Sequence, residues 1–145
     1  MLRALRDRRR RPPDEEGSVL LLTLGYGILA IAVVLVCTAA TSLYLAQKQL
    51  DAVADAAALA AADGFELTVS GDGATATLSD ADVEREARAM IDEIGGGAGF
   101  VSATSPDGSS ARVTVTGAWH PPVVTMFVPD GVRLEATATS RTALR

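Results

Sequence analysis

Residues 18–63 read SVLLLTLGYGILAIAVVLVCTAATSLYLAQKQLDAVADAAALAAAD, and this stretch decides the architecture. Its first part, residues 18–47, holds no Asp, Glu, Lys or Arg; the uncharged gap runs from Glu16 to Lys48. A helix needs about 20 apolar residues to cross the hydrocarbon core of a bilayer. A chain of 145 residues has no core wide enough to hide a longer rod on every side. In lipid, by contrast, a helix satisfies its backbone groups internally. Residues 17–46 are therefore expected to form a transmembrane helix.

The charges around this segment set its expected orientation. Residues 1–16 carry Arg3, Arg6, Arg8, Arg9, Arg10 and Arg11 against four carboxylates, and the rest of the chain is strongly acidic, for a net charge of -5. Only Lys48 follows the span closely. The excess of arginine before the span places a basic leader, residues 1–16, in the cytoplasm and the acidic remainder outside it. Beside a span, the arginine run is read as fixing topology and touching anionic lipid headgroups, and no nucleic-acid partner is expected.

Two other readings of the apolar stretch are weaker. A secretory signal has an apolar region of about 7 to 15 residues and a small-residue cleavage site. Here the stretch is twice as long, and Thr38-Ala39-Ala40 is a mediocre site. A lipidated cysteine would need a small residue before it, but Val36 precedes Cys37. With one cysteine and one histidine in the chain, an internal disulfide framework, a Cys-rich zinc site and a His-pair metal site are all excluded.

Within the span, Thr38, Ser42 and Ala46 recur every fourth residue, a small-residue stripe that lets another helix approach closely. Gly25 and Gly27 either loosen the helix or permit similar contact. Beyond the span, residues 47–63 contain no Gly or Pro and are rich in alanine, the best helix former. The helix is expected to continue there as a stalk. Leu43, Ala46, Leu50, Val53, Ala57 and Ala60 follow a 3-4 alternation that gives a narrow packing seam. The helix-packing residues read from sequence are thus Thr38, Ser42, Ala46, Leu50, Val53, Ala57 and Ala60. Gly64 is read as the stop signal.

The leader ending in DEEGSVLLL, the single span and the segment LYLAQKQLDAVADAAALAAADG together resemble the N-terminal region of TadE/TadG-like proteins of the Flp (tight-adherence, Tad) pilus machinery. The DAVADAAALAAA core is the more specific part. A long helix, half in the membrane and half above it, is pilin-like. Many pilin-like proteins are cut after a glycine that has a glutamate five residues later. Gly17 and Ser18 are the corresponding pair here, with Leu22 in place of the glutamate. The longer TadG-like proteins carry a D-x-S-x-S metal motif; Asp107-Gly108-Ser109-Ser110-Ala111 lacks the last serine, which places the resemblance at the short, TadE-like end.

From residue 64 to 145 the pattern changes to short elements. Residues 65–69 and 74–78 read as strands joined by Ser70-Gly71-Asp72-Gly73. Ser79 or Asp80 caps a helix that continues through DVEREARAMIDEI, with Val83, Ala87, Met90, Ile91 and Ile94 on one face. Gly95-Gly96-Gly97 stops it. Strands follow at 100–104, at 111–116 and, after a proline-rich link, at 132–140. The expected fold class is α+β: a transmembrane helix continuing as a stalk, then a small antiparallel sheet of about four strands with one helix. About 80 residues bury only a marginal core, so support from the stalk or from partner subunits is expected.

Little in this domain points to chemistry. Asp80, Asp82, Glu84 and Glu86 lie where a helix dipole favours carboxylates, and no EF-hand spacing accompanies them. His120, in Trp119-His120-Pro121-Pro122, has no nucleophile motif to serve. The glycine run 95–97 follows a helix and lacks a lysine, so it is no phosphate loop. Val123–Val128 reads either as an exposed apolar loop or as core. No catalytic residue, cofactor, metal or small-molecule substrate is expected. The sequence points to a non-enzymatic, single-pass membrane component of a Flp/Tad-type pilus or related secretion system, with membrane lipid and other pilin-like or Tad-system proteins as partners. A membrane-anchored binding or enzymatic domain unrelated to pili is the alternative, and it predicts a folded fragment starting near Gly64.

Overall fold

The structure is a computed structural model that describes residues 15–70, 73–122 and 130–141, with backbone alone at 15–16, 68–70 and 73–76. The basic leader up to residue 14 and the segment Val123–Val128 lie outside the described residues. Seven elements follow in order: α1 (Glu15–Asp63), β1 (Glu66–Ser70), β2 (Gly73–Thr77), α2 (Asp80–Ile94), β3 (Gly99–Thr104), β4 (Ser110–Trp119) and β5 (Val132–Arg141). The fold class is α+β, as the sequence implies.

The chain divides into two compact units, Met1–Thr38 and Ala39–Arg145, and α1 runs through the division. In the first unit every residue from 17 to 38 is exposed. Two of its hydroxyls bond back to the helix: Thr23 Oγ1 donates to the Leu20 carbonyl at 2.9 Å and Thr38 Oγ1 to that of Val34 at 2.8 Å. Threonines satisfied in this way add little polar surface to a helix, which suits it to lipid. Among the described residues α1 is the one helix long and apolar enough to cross a membrane, and it is a candidate span.

The second unit contains the rest of α1, so residues 47–63 do not stand apart from 64–145 as a separate stalk. Leu50, Ala54, Ala57, Ala58, Ala61 and Ala62 are buried in one cluster with Val83, Ala87 and Ile91 of α2 and Ala111, Val113 and Val115 of β4. Their spacing is the stripe of an α-helix laid on a sheet. Among the described residues nine of the fifteen buried apolar side chains are alanines, and the largest fully buried ones are Val83, Val113 and Val115. Such small side chains let α1 approach closely but bury little area each, so this core is thin. A fragment starting at Gly64 would lack the α1 part of it.

The sheet is antiparallel in the order β3-β4-β5. The inner face of β4 carries Ala111, Val113 and Val115, which pair with Ser140, Ala138 and Ala136 of β5. On the outer face Thr114 pairs with Thr137, their hydroxyls 2.9 Å apart, and Arg112 Nε donates to Thr139 Oγ1 at 3.4 Å. The sheet is thus apolar toward the helices and threonine-rich toward solvent. Strands β1 and β2 form a separate two-stranded hairpin. The sequence implied a single sheet of about four strands; the structure has three strands and a hairpin, with α2 between them in the chain and packed on β3, where the Arg88 guanidinium lies 3.8 Å from the centroid of the Phe100 ring.

Helix α2 starts as its sequence requires. Ser79 is the N-cap, its hydroxyl oxygen accepting from the Asp82 N–H at 3.2 Å, and Gly95 is the C-cap. Two bonds fasten this start to the β3–β4 turn. Ser105 N–H donates to Asp80 Oδ1 at 2.6 Å, and Leu78 N–H donates to the Gly108 carbonyl at 2.9 Å.

Candidate helix-packing surface

The seven helix-packing positions read from sequence fall into three environments. Thr38 is exposed and lies in the apolar unit. Ser42, Ala46, Val53 and Ala60 are half-buried, and Leu50 and Ala57 are buried in the chain's own core. The seam therefore packs largely within the molecule. Leu50 lies against β4, and Ala57 is buried in the same core cluster. Gly17 and Ser18, the pair considered for processing, lie exposed inside the first turns of α1.

What the sequence reading missed is the other side of the same helix. Leu45 and Leu59 are 54% and 58% exposed, and Ala52 between them is exposed as well. These three recur at seven-residue spacing, the interval at which a helix presents the same face to a neighbour. Lys48, Asp55 and Asp63 flank them, also exposed. Lys48 Nζ contacts Asp51 Oδ2 at 2.9 Å. That contact raises the lysine and lowers the aspartate from their ordinary values. With both groups in water the pair contributes little to stability.

Three long-range contacts fix which face of α1 turns inward. Leu50 lies against Gly117 of β4. Gln47 Nε2 donates to the Glu135 carbonyl of β5 at 3.1 Å. The Trp119 indole N–H, at the end of β4, donates to Ser42 Oγ at 3.0 Å. Of the small-residue stripe, Ser42 thus serves the sheet, while Thr38 bonds within α1.

Elsewhere the polar groups serve the fold. Asp107 Oδ1 accepts from the N–H groups of Ser109 and Ser110 at 3.0 and 2.7 Å, and Oδ2 accepts from Ser110 Oγ at 2.8 Å. Arg141 Nη2 adds a contact of 3.3 Å. The Ser110 hydroxyl first, then the backbone bond from Ser109, holds the Asp107 carboxyl down to about 2. This is a turn that closes the β3–β4 hairpin, and it accounts for the Asp-Gly-Ser-Ser run. Among the described residues no group of three His, Cys, Asp or Glu side chains is gathered as a metal site would need. Two open clefts of about 160 and 310 Å³ share Gly97, Gly117 and Ala118 along their walls.

Residues 17–64 match a family model described as "Putative Flp pilus-assembly TadE/G-like". The match covers about a third of the chain and ends one residue beyond α1. The resemblance carried by the span and the alanine-rich segment is borne out over that length. No curated protein and no solved structure matches the chain.

Proposed function

We propose that the chain is a single-pass membrane subunit of a Flp/Tad-type pilus or related secretion apparatus, acting as a structural or assembly component and not as an enzyme. The observation that carries this reading is the coincidence of the family match with α1. The matched residues supply both an all-round apolar rod and the alanine face of the domain core. One helix thereby supplies both the anchor and part of the domain core. The arginine-rich leader faces the cytoplasm and the domain lies outside, as the positive-inside rule implies. Neighbouring subunits pack on the exposed length of α1, along Thr38 in the apolar part and Leu45, Ala52 and Leu59 beyond it.

Site-specific crosslinking in cells tests this. With Cys37 replaced by serine, single cysteines at Ala52 and Leu59 are expected to capture proteins identified by mass spectrometry as pilus-machinery components. A cysteine at Ala57, buried at 0% exposure, captures none. Recovery of monomer alone from every exposed position would overturn the proposal.

A further inference from the structure

The chain has one tryptophan, and its position is informative. Every residue from 17 to 38 is exposed, and Ala39 is the first half-buried position of α1. These 22 residues rise about 33 Å at about 1.5 Å each, close to the ~30 Å hydrocarbon thickness of a bilayer. Ser42 lies four residues on, about 6 Å further along the helix. The polar headgroup region adds roughly 5–7 Å on each side of the hydrocarbon, so Ser42 falls within that layer. Trp119 is hydrogen-bonded to Ser42. Chain continuity alone therefore brings the end of β4 to the level where the lipid tails stop.

The side chains found at that level suit it. Tyr44 is 61% exposed and Leu45 54% exposed. Trp119 is half-buried, and its register partner across the ladder, Val132, is 43% exposed. Arg133 follows, exposed, and shares a cleft with Asp130. Tryptophan and tyrosine, apolar rings with one polar edge, favour the membrane–water boundary.

We infer that the β4–β5 end of the domain, through Trp119 and Val132 and level with Tyr44, rests in the lipid headgroup layer. The globular unit then touches the bilayer surface directly instead of being held clear of it. This rests on the reading of residues 17–46 as a membrane span.

Two single-copy probes in the unaltered full chain test the inference and its premise separately. The protein is reconstituted into phosphatidylcholine vesicles containing phosphatidylglycerol, with bromine placed on the acyl chains either near the headgroup or deep. Trp119 emission is read directly, and Cys37, the one cysteine, carries a small fluorophore. The expected result is loss of Trp119 emission with shallow bromine exceeding the loss with deep bromine, and quenching of the Cys37 probe by shallow bromine as well, since Cys37 lies one residue before the end of the exposed stretch. Quenching at Cys37 without quenching at Trp119 overturns the inference and leaves the span intact. Absence of quenching at both overturns the span reading and the inference with it.

Discussion

Gly117 of β4 leaves the room that Leu50 of α1 fills: a Cβ at Gly117 would stand 3.4 Å from Leu50 Cδ1 and 3.7 Å from Cδ2. Alanine at this position makes ordinary contact, so Gly117→Ala should leave unfolding nearly unchanged. Gly117→Val adds two methyl groups beyond that Cβ to a filled space and should lower stability by about 1–3 kcal/mol. Leu50→Ala, which empties the same site, should lower it by about 2–5 kcal/mol. Denaturant unfolding of the full chain in detergent micelles, followed by Trp119 emission, orders the three. Equal stability of Gly117→Val and the native chain would mean that α1 does not sit on β4 as described.

Asp107 gives the domain a defined acid limit. Its carboxyl titrates near 2, against an ordinary value of 3.8. Between those values the unfolded chain binds a proton that the folded chain refuses. The stabilisation is complete above 3.8 and is lost as pH falls toward 2. Asp107→Asn keeps one acceptor oxygen and removes the charge, so the unfolding midpoint of this variant should depend less on pH across that window. A native-like slope in the variant would assign the acid limit to other carboxylates.

Gly131 precedes β5 with φ +67°, and a Cβ there would come 2.8 Å from the Trp119 carbonyl oxygen and 3.0 Å from His120 Nε2. The left-handed backbone alone costs a non-glycine residue roughly 1–2 kcal/mol. Gly131→Ala should lose at least that and shift Trp119 emission as the β4 end moves. Unchanged emission and stability would show that the connection has slack.

Ser79→Ala removes the α2 N-cap and should cost about 0.5–2 kcal/mol. It carries a second, independent signature. The Ser79 hydroxyl is the largest influence lowering the Asp82 carboxyl, ahead of Arg85. Asp82 should therefore move back toward its ordinary value in the variant, read from the carboxyl carbon shift by NMR. An unmoved Asp82 would mean that the serine does not face it in solution.

The elements themselves were largely readable. A charge-free run from residue 17 to 47 admits few structures other than an apolar helix, and Ser79 followed by Val83, Ala87 and Ile91 is a cap followed by a helical stripe. Alternation in Val113, Val115, Leu134, Ala136 and Ala138 gave β4 and β5. The inward face of 47–63 was harder, because alanine occupies almost every side and the 3.5 and 3.6 periods diverge slowly. The expected seam shares Leu50 and Ala57 with the observed core but omits Ala54, Ala58, Ala61 and Ala62. Separation of the β1–β2 hairpin from the main sheet depends on where α2 packs, which no local pattern encodes. The Ser42–Trp119 bond joins residues 77 positions apart, and neither residue announces the other.

That separation has a consequence for biogenesis. Ribosomes deliver α1 first, yet Trp119 emerges 77 residues after Ser42 and Glu135 emerges 88 after Gln47. Through that interval the alanine stripe of α1 has no cover, and pairing so distant in sequence forms slowly. Incomplete chains of this kind expose apolar surface and aggregate. The nascent chain would need guarding by a chaperone or by an older copy until β5 has closed the sheet.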